Sequence, residues 1–441
     1  MKRIIVFWIV LLFASASACG SVWFVHSGGN NGNDGHAFSA ALASFSAAVD
    51  SANNSSGADT LLLLAGDQLI GLSSGEEITG KTFIWPILSG DSLTHKPSST
   101  PAKLINPGTT FADLIKANGS NAVVHIFNLN ILANEGGTAG RMGCYAINGA
   151  SLYIARCRIE EPSSWGVYAN ISSLLHASDC IVINSGGKGY LASANAEATI
   201  TDSRAENCAS YGFHSADHAL LIARNCSAQN CQVGFISSSA GSIELENNET
   251  KSCDEGILFN NGDSATVVNS SCSGSRLAGL RRVTNDTTDI RLDGLLIHTL
   301  ASGVTGLVCE GANDFEINHL TIHGGAGVTG VAAAGSFAAI LRNIIITGCD
   351  VALDGTSGSL QFGPGLLYQN SADTTGANVT YLTEPLVRNP LWVHPSAGDY
   401  HLTPFSPARR AGTNGGHLGA LPATTNSSEP WGRPPWGRDT H

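Results

Sequence analysis

Charge is scarce in this sequence. Only 13% of its 441 residues are Asp, Glu, Lys or Arg, and the formal net charge is −12. An acidic chain without a basic stripe is a poor candidate for nucleic acid, so none is expected as a partner. It also lacks general attraction for polyanionic sugars, though a local basic patch would suffice. The apolar run at 4–14 is too short to span a bilayer comfortably. No CxxC pair or Cys/His cluster has zinc spacing, so no metal is assigned. Calcium is conceivable as a cofactor, but no compact carboxylate cluster stands out for it.

Glycine, in contrast, is abundant, with 51 residues. Many of them form a ladder: Gly143, Gly166, Gly189, Gly212, Gly234, Gly256, Gly279, Gly306 and Gly330, about 23 residues apart. A second column keeps step with it: Asp179, Asp202, Asn225, Asn247, Asn269, Asp293, Asn318 and Asn343. A fixed period of this length marks a solenoid. The segments are too short and too rich in Gly, Ser and Asn for helix pairs, and their apolar residues alternate as in strands. One repeat suits one coil of three short strands, stacked on the next at about 4.8 Å. The Asx column fits a left-handed turn. The glycines fit a bend that has no room for a Cβ.

This pattern of Gly-apolar-x-apolar followed by apolar-x-Asn/Asp resembles the right-handed parallel β-helix family, the fold of many pectate-lyase-like proteins. The opening VWFVHSGGNNGNDG (22–35), the run DTLLLLAGD (59–67) and the closing segment 389–412 are similar to the ends of secreted members. The expected fold is all-β: a right-handed parallel β-helix of about 23-residue coils with an N-terminal capping helix. The resemblance implies a secreted protein acting on or binding a polysaccharide, lyase- or epimerase-like. It does not choose one activity. The alternative is a non-catalytic scaffold or glycan-binding protein, outside the cell or anchored to its surface.

In chain order, 1–18 reads as a signal peptide and 19–58 as a first strand with a capping helix at 37–52. The β-helix with its closure spans 59–420, and 421–441 reads as a flexible Pro/Trp tail. Leu42, Phe45 and Val49 share one face of the helix. Cleavage after Ala18 would leave Cys19 first, which opens membrane attachment through a lipid on Cys19 as well as plain secretion. The loop 133–142 is longer than its equivalents and is a place for binding function. The chain is expected to be a monomer. Of 11 cysteines, Cys208, Cys231 and Cys253 share one column, and Cys157, Cys180 and Cys226 another. Such columns favour buried thiols over disulfides, with an occasional bridge still open.

The position after each glycine is apolar and points inward, so the next points outward. That outward column contains Tyr145, Tyr168, His214 and Arg281, and the position before the glycine adds Trp165, Lys188 and Tyr211. Aromatic faces beside a cation suit a sugar groove; they equally suit a stack that shields the coil edges. Trp165, Tyr168 and Arg281 are the expected substrate-binding residues. A lyase needs a base and a cation facing the sugar carboxylate, for which Lys188 or His214, with Tyr211 nearby, are the catalytic candidates. Arg281 lies three coils from His214, about 14 Å away. It is expected to share a separate basic spot with Arg276 and Arg282. A hydrolase would need two carboxylates roughly 5–9 Å apart. No such pair appears, since Glu255 and Glu310 are not in neighbouring coils. His298 and His323 share a column with Asn184, Asn207 and Asn230. The column reads as a hydrogen-bond ladder, and a metal pair there lacks a third ligand.

Overall fold

The computed structural model describes residues 20–66, 68–70, 76–87, 97–105, 114–133, 142–284, 289–311 and 315–421. The signal segment, Cys19, nearly all of the loop at 133–142 and the tail from 422 onward lie outside the described residues. The chain groups into two compact units, Met1–Thr199 and Ile200–His441, and both are built from one kind of coil.

In the first unit a coil runs through strands Met142–Ile147, Ser151–Ala155 and Arg158–Glu160, and Trp165–Ala169 begins the next. Each strand pairs in parallel with its equivalent one coil on, Met142 with Trp165 and Trp165 with Lys188. The offset is 23 residues (165 − 142), the period of the sequence. Alternate residues face inward: Val124, Leu152 and Leu175 are register partners and fully buried. Each such side chain contributes about 1.5–3 kcal/mol through burial. The glycine ladder follows from crowding. A Cβ on Gly166 would lie 2.7 Å from the Gly189 carbonyl oxygen and collide with Val182.

Helix α1 (Phe45–Asn53) packs on the first strands at the N-terminal end of this unit. It starts later than the sequence suggests because the Ser44 hydroxyl accepts from the Ala47 N–H at 3.2 Å, a helix N-cap. Phe45 and Val49 are buried on its inner face as expected, with Ala48 and Ala52. Leu42 is also buried, but it lies before the helix. It bridges Val25 in an extended conformation, because its N–H is donated to the Phe24 carbonyl.

In the second unit the inward column after the glycines is continuous in register: Phe213, Phe235, Ile257, Leu280, Leu307, Val331 and Leu353. The Phe213 and Phe235 rings stack at 4.7 Å. The expected left-handed turn is present at Asp202, Asn225, Asn247, Asn269 and Asn343. At Asp293 and Asn318 the expectation is off by one. The left-handed residues there are Gly294 and His319, the register partners one step later. The coil after Asn269 is longer, so the bend moves past the Asx residue.

The C-terminal closure pairs Trp392–His394 antiparallel with Asp399–Leu402. Leu402, Ala408 and Leu418 pack on Ile345 and Leu366. Ala420 donates its N–H to Thr321 Oγ1 at 2.8 Å, and Leu421 is buried against Leu296 and Tyr400. Leu421 therefore belongs to the folded closure, not to the tail. The ten described cysteines are all buried and none forms a disulfide. No helix among the described residues is long and apolar enough to cross a membrane.

Candidate binding cleft

Three of the expected site residues fall in the first unit. Trp165 and Lys188 occupy equivalent places in successive coils, and the Lys188 Nζ lies 5.7 Å from the indole centroid. Tyr168 does not offer an open face. It is 8% exposed, stacks on Tyr145 at 4.9 Å and meets Trp165 edge-on at 4.8 Å. The coil spacing matches the stacking distance of rings, so rings in one column cover each other's faces and leave only edges. The same happens on the second strands, where Phe83, His125, Tyr153 and His176 stack at 4.5–4.9 Å.

The other three fall in the second unit. Tyr211 is half-buried and meets His214 edge-on at 5.0 Å. His214 is 5% exposed, and its Nε2 lies 2.7 Å from Ser238 Oγ. As placed, it supports Tyr211 and does not face solvent as a base would. Tyr211 also lines a cleft of about 270 Å3 together with Asp254, Glu255, Asn260, Leu277 and Arg281.

Arg281 is the centre of this cleft. Its Nη1 donates to Glu255 Oε1 at 3.1 Å, and its Nη2 donates to Glu310 Oε2 at 3.1 Å. Glu255 lies one coil before Arg281 and Glu310 one coil after it. The two carboxylates are thus not in neighbouring coils, yet the long side chain between them joins both. Burial disfavours the charge on Arg281, but the hydrogen bonds to Glu310 and Glu255 outweigh it and raise its pKa. Beside it, Arg276 Nε donates to Asp254 Oδ1 at 2.6 Å.

The expected basic spot therefore does not exist as such. Arg276 and Arg281 are matched by carboxylates. Arg282 is 1% exposed and lies inside the coil, in register with Phe259 and Cys309, where burial lowers its pKa. Alternation alone explains this, because Arg281 and Arg282 must point to opposite faces. Glu255 stands immediately before Gly256, in the column that holds Tyr211. Following that column past Tyr211 would have found it.

His298 and His323 are register partners, but each bonds a threonine: His298 Nδ1 to Thr299 at 2.8 Å, His323 Nδ1 to Thr347 at 2.9 Å. Tyr400 of the closure covers both rings at 5.3 and 5.1 Å. The asparagine part of the ladder is present, with Asn230 Nδ2 donating to Asn207 Oδ1 at 3.0 Å. Among the described residues no group of three or more His, Cys, Asp or Glu side chains is arranged to hold a metal ion.

Residues 111–250 match the family model described as right handed beta helix region. No curated protein matches the sequence. Among solved structures, the chain is similar to the A-module of the mannuronan C-5 epimerase AlgE6 from Azotobacter vinelandii. The identity is 14%, the TM-score 0.48, and 78% of this chain and 94% of that one are covered. It is also similar to pectate lyase Pel9A, at 13% identity and TM-score 0.43, covering 93% of this chain and 98% of that one. A third is a GH87 alpha-1,3-glucanase from Streptomyces thermodiastaticus, at 14% identity and TM-score 0.45, covering 77% and 66%. The family match and the parallel coils on either side of it make the fold of this chain a right-handed parallel β-helix.

Proposed function

We propose that this protein binds a polysaccharide on the outer face of the first strands of its coils, with the cleft at Tyr211 and Arg281 as a sugar subsite. One observation carries the reading: an aromatic ring, an exposed leucine and several hydrogen-bonding side chains converge on one cleft of about 270 Å3. That lies just below the usual size range for small-molecule pockets, roughly 300–1,000 Å3, and suits a short stretch of sugar rings. The protein would work outside the cell or at its surface, as the leader-like segment at 1–18 suggests.

Lyase- or epimerase-like chemistry is the finer expectation from the sequence. It needs a base within reach of the sugar and a cation facing its carboxylate. Arg281 in the cleft and Arg276 beside it are both held by carboxylates, so retention of the polymer is the better-supported role. Hydrolysis by Glu255 and Glu310 is disfavoured because the Arg281 guanidinium occupies the space between them, where a substrate would sit.

The test is affinity electrophoresis of the purified protein through gels containing neutral or acidic polysaccharides, with absorbance of unsaturated ends followed in parallel. At least one polymer should retard the protein, and Tyr211→Ala should weaken that retardation tenfold or more. Unchanged mobility in every polymer would overturn the proposal.

A further inference from the structure

We infer that the cleft in the second unit takes a neutral sugar and rejects a uronate; this rests on the polysaccharide reading above. The argument is a balance of charge. The cleft is lined by two carboxylates, on Asp254 and Glu255, against one guanidinium, on Arg281; outside the lining, Glu310 also pairs with Arg281 and Arg276 pairs with Asp254. Both guanidiniums are already engaged. Arg281 spans two carboxylates at 3.1 Å each, and Arg276 holds one at 2.6 Å.

A sugar carboxylate entering here would face a site already negative. To gain Arg281 as a partner it would have to displace Glu310 or Glu255, and Glu255, only 7% exposed, would stay beside it as a second negative charge. Like charges at close range in a partly desolvated cleft are strongly disfavoured. The chain as a whole adds no compensating field, with its formal charge of −12.

A neutral sugar meets complementary groups instead. Its hydroxyls can donate to the remaining lone pairs of Asp254 and Glu255, and can accept from the Asn260 and Gln232 amides lining the same cleft. Its C–H faces have Tyr211 and the exposed Leu277 to rest on. Arg281 acts as a positioning residue: it holds Glu255 and Glu310 in place without contacting the carboxylate of a ligand.

The experiment uses polymer pairs that differ only in oxidation at C6: glucan and glucuronan, galactan and polygalacturonate, mannan and polymannuronate. Binding of the whole protein to each is measured by isothermal titration at low and high salt. The neutral member of at least one pair should bind ten times more tightly than its uronate, and the gap should narrow as salt screens the repulsion. Glu310→Gln, outside the cleft lining, removes one negative charge but keeps a hydrogen-bond acceptor for Arg281; it should raise uronate affinity several-fold and leave neutral binding within twofold. Equal or tighter binding of the uronates would overturn this inference and leave the polysaccharide reading standing. Binding of no polymer at all would remove both.

Discussion

Lys188 carries its ammonium 5.7 Å from the centre of the Trp165 indole, one coil further along the same face. A cation over an indole at partial exposure contributes about 0.5–1 kcal/mol. A double-mutant cycle of Trp165→Leu and Lys188→Met, read from urea midpoints, should return a coupling energy of that size. A coupling near zero would mean that the two side chains are only neighbours.

The glycine ladder makes a sharper prediction. Gly166→Ala places a methyl group 2.7 Å from the Gly189 carbonyl oxygen and into Val182, and neither can move without shifting a coil. The cost should be about 2–4 kcal/mol. Gly80→Ala is the control, since a Cβ there meets nothing within 4 Å, and it should change stability by less than about 0.5 kcal/mol. Equal losses from the two substitutions would show that crowding is not the reason for the ladder.

His125 makes stability depend on pH. It is sandwiched between Phe83 and Tyr153, and burial, then the charge of Lys81, lowers its pKa to about 4. Above about pH 6.5 the ring is neutral folded and unfolded, and contributes no slope. From there down to about 4 the unfolded chain takes up a proton that the folded chain refuses. Stability therefore falls with pH across that window, by about 2–3 kcal/mol for this one group. His125→Phe keeps the ring stack and removes the titration. Its stability difference between pH 7 and pH 4.5 should be smaller than that of the parent by about that amount, and an unchanged slope would exclude His125 as the source.

The cysteines should be silent in the folded protein. All ten described thiols are buried, out of reach of a bulky reagent, and burial also pushes Cys226, Cys272 and Cys349 up to about 12, away from the reactive thiolate. Maleimide labelling at pH 8, mapped by peptide mass spectrometry, should leave all ten described cysteines unmodified until denaturant is added. Rapid labelling of any one of them in the native protein would place it at the surface.

Much of this architecture could be read directly from the chain. The glycine and Asx columns predicted coil length, pairing partners and the inward column, because in a solenoid every contact repeats at the same offset. The site was less legible. Trp165 and Lys188 were found together because they are equivalent residues in adjacent coils. Alternation assigns Tyr168 and His214 to the outward column, but their burial against Trp165 and Tyr211 depends on side-chain packing that no column reports.

The sequence by itself determined the β-helix, since a 23-residue period of turn, glycine and alternating apolar residues leaves one economical way to bury the apolar faces. The three-dimensional structure alone decided the charge of the cleft. Glu255 and Glu310 are 55 residues apart (310 − 255) and two coils apart, and only the reach of the Arg281 side chain in the coil between brings them to one guanidinium. Side-chain length and rotamer set that meeting, and neither is written in a repeat.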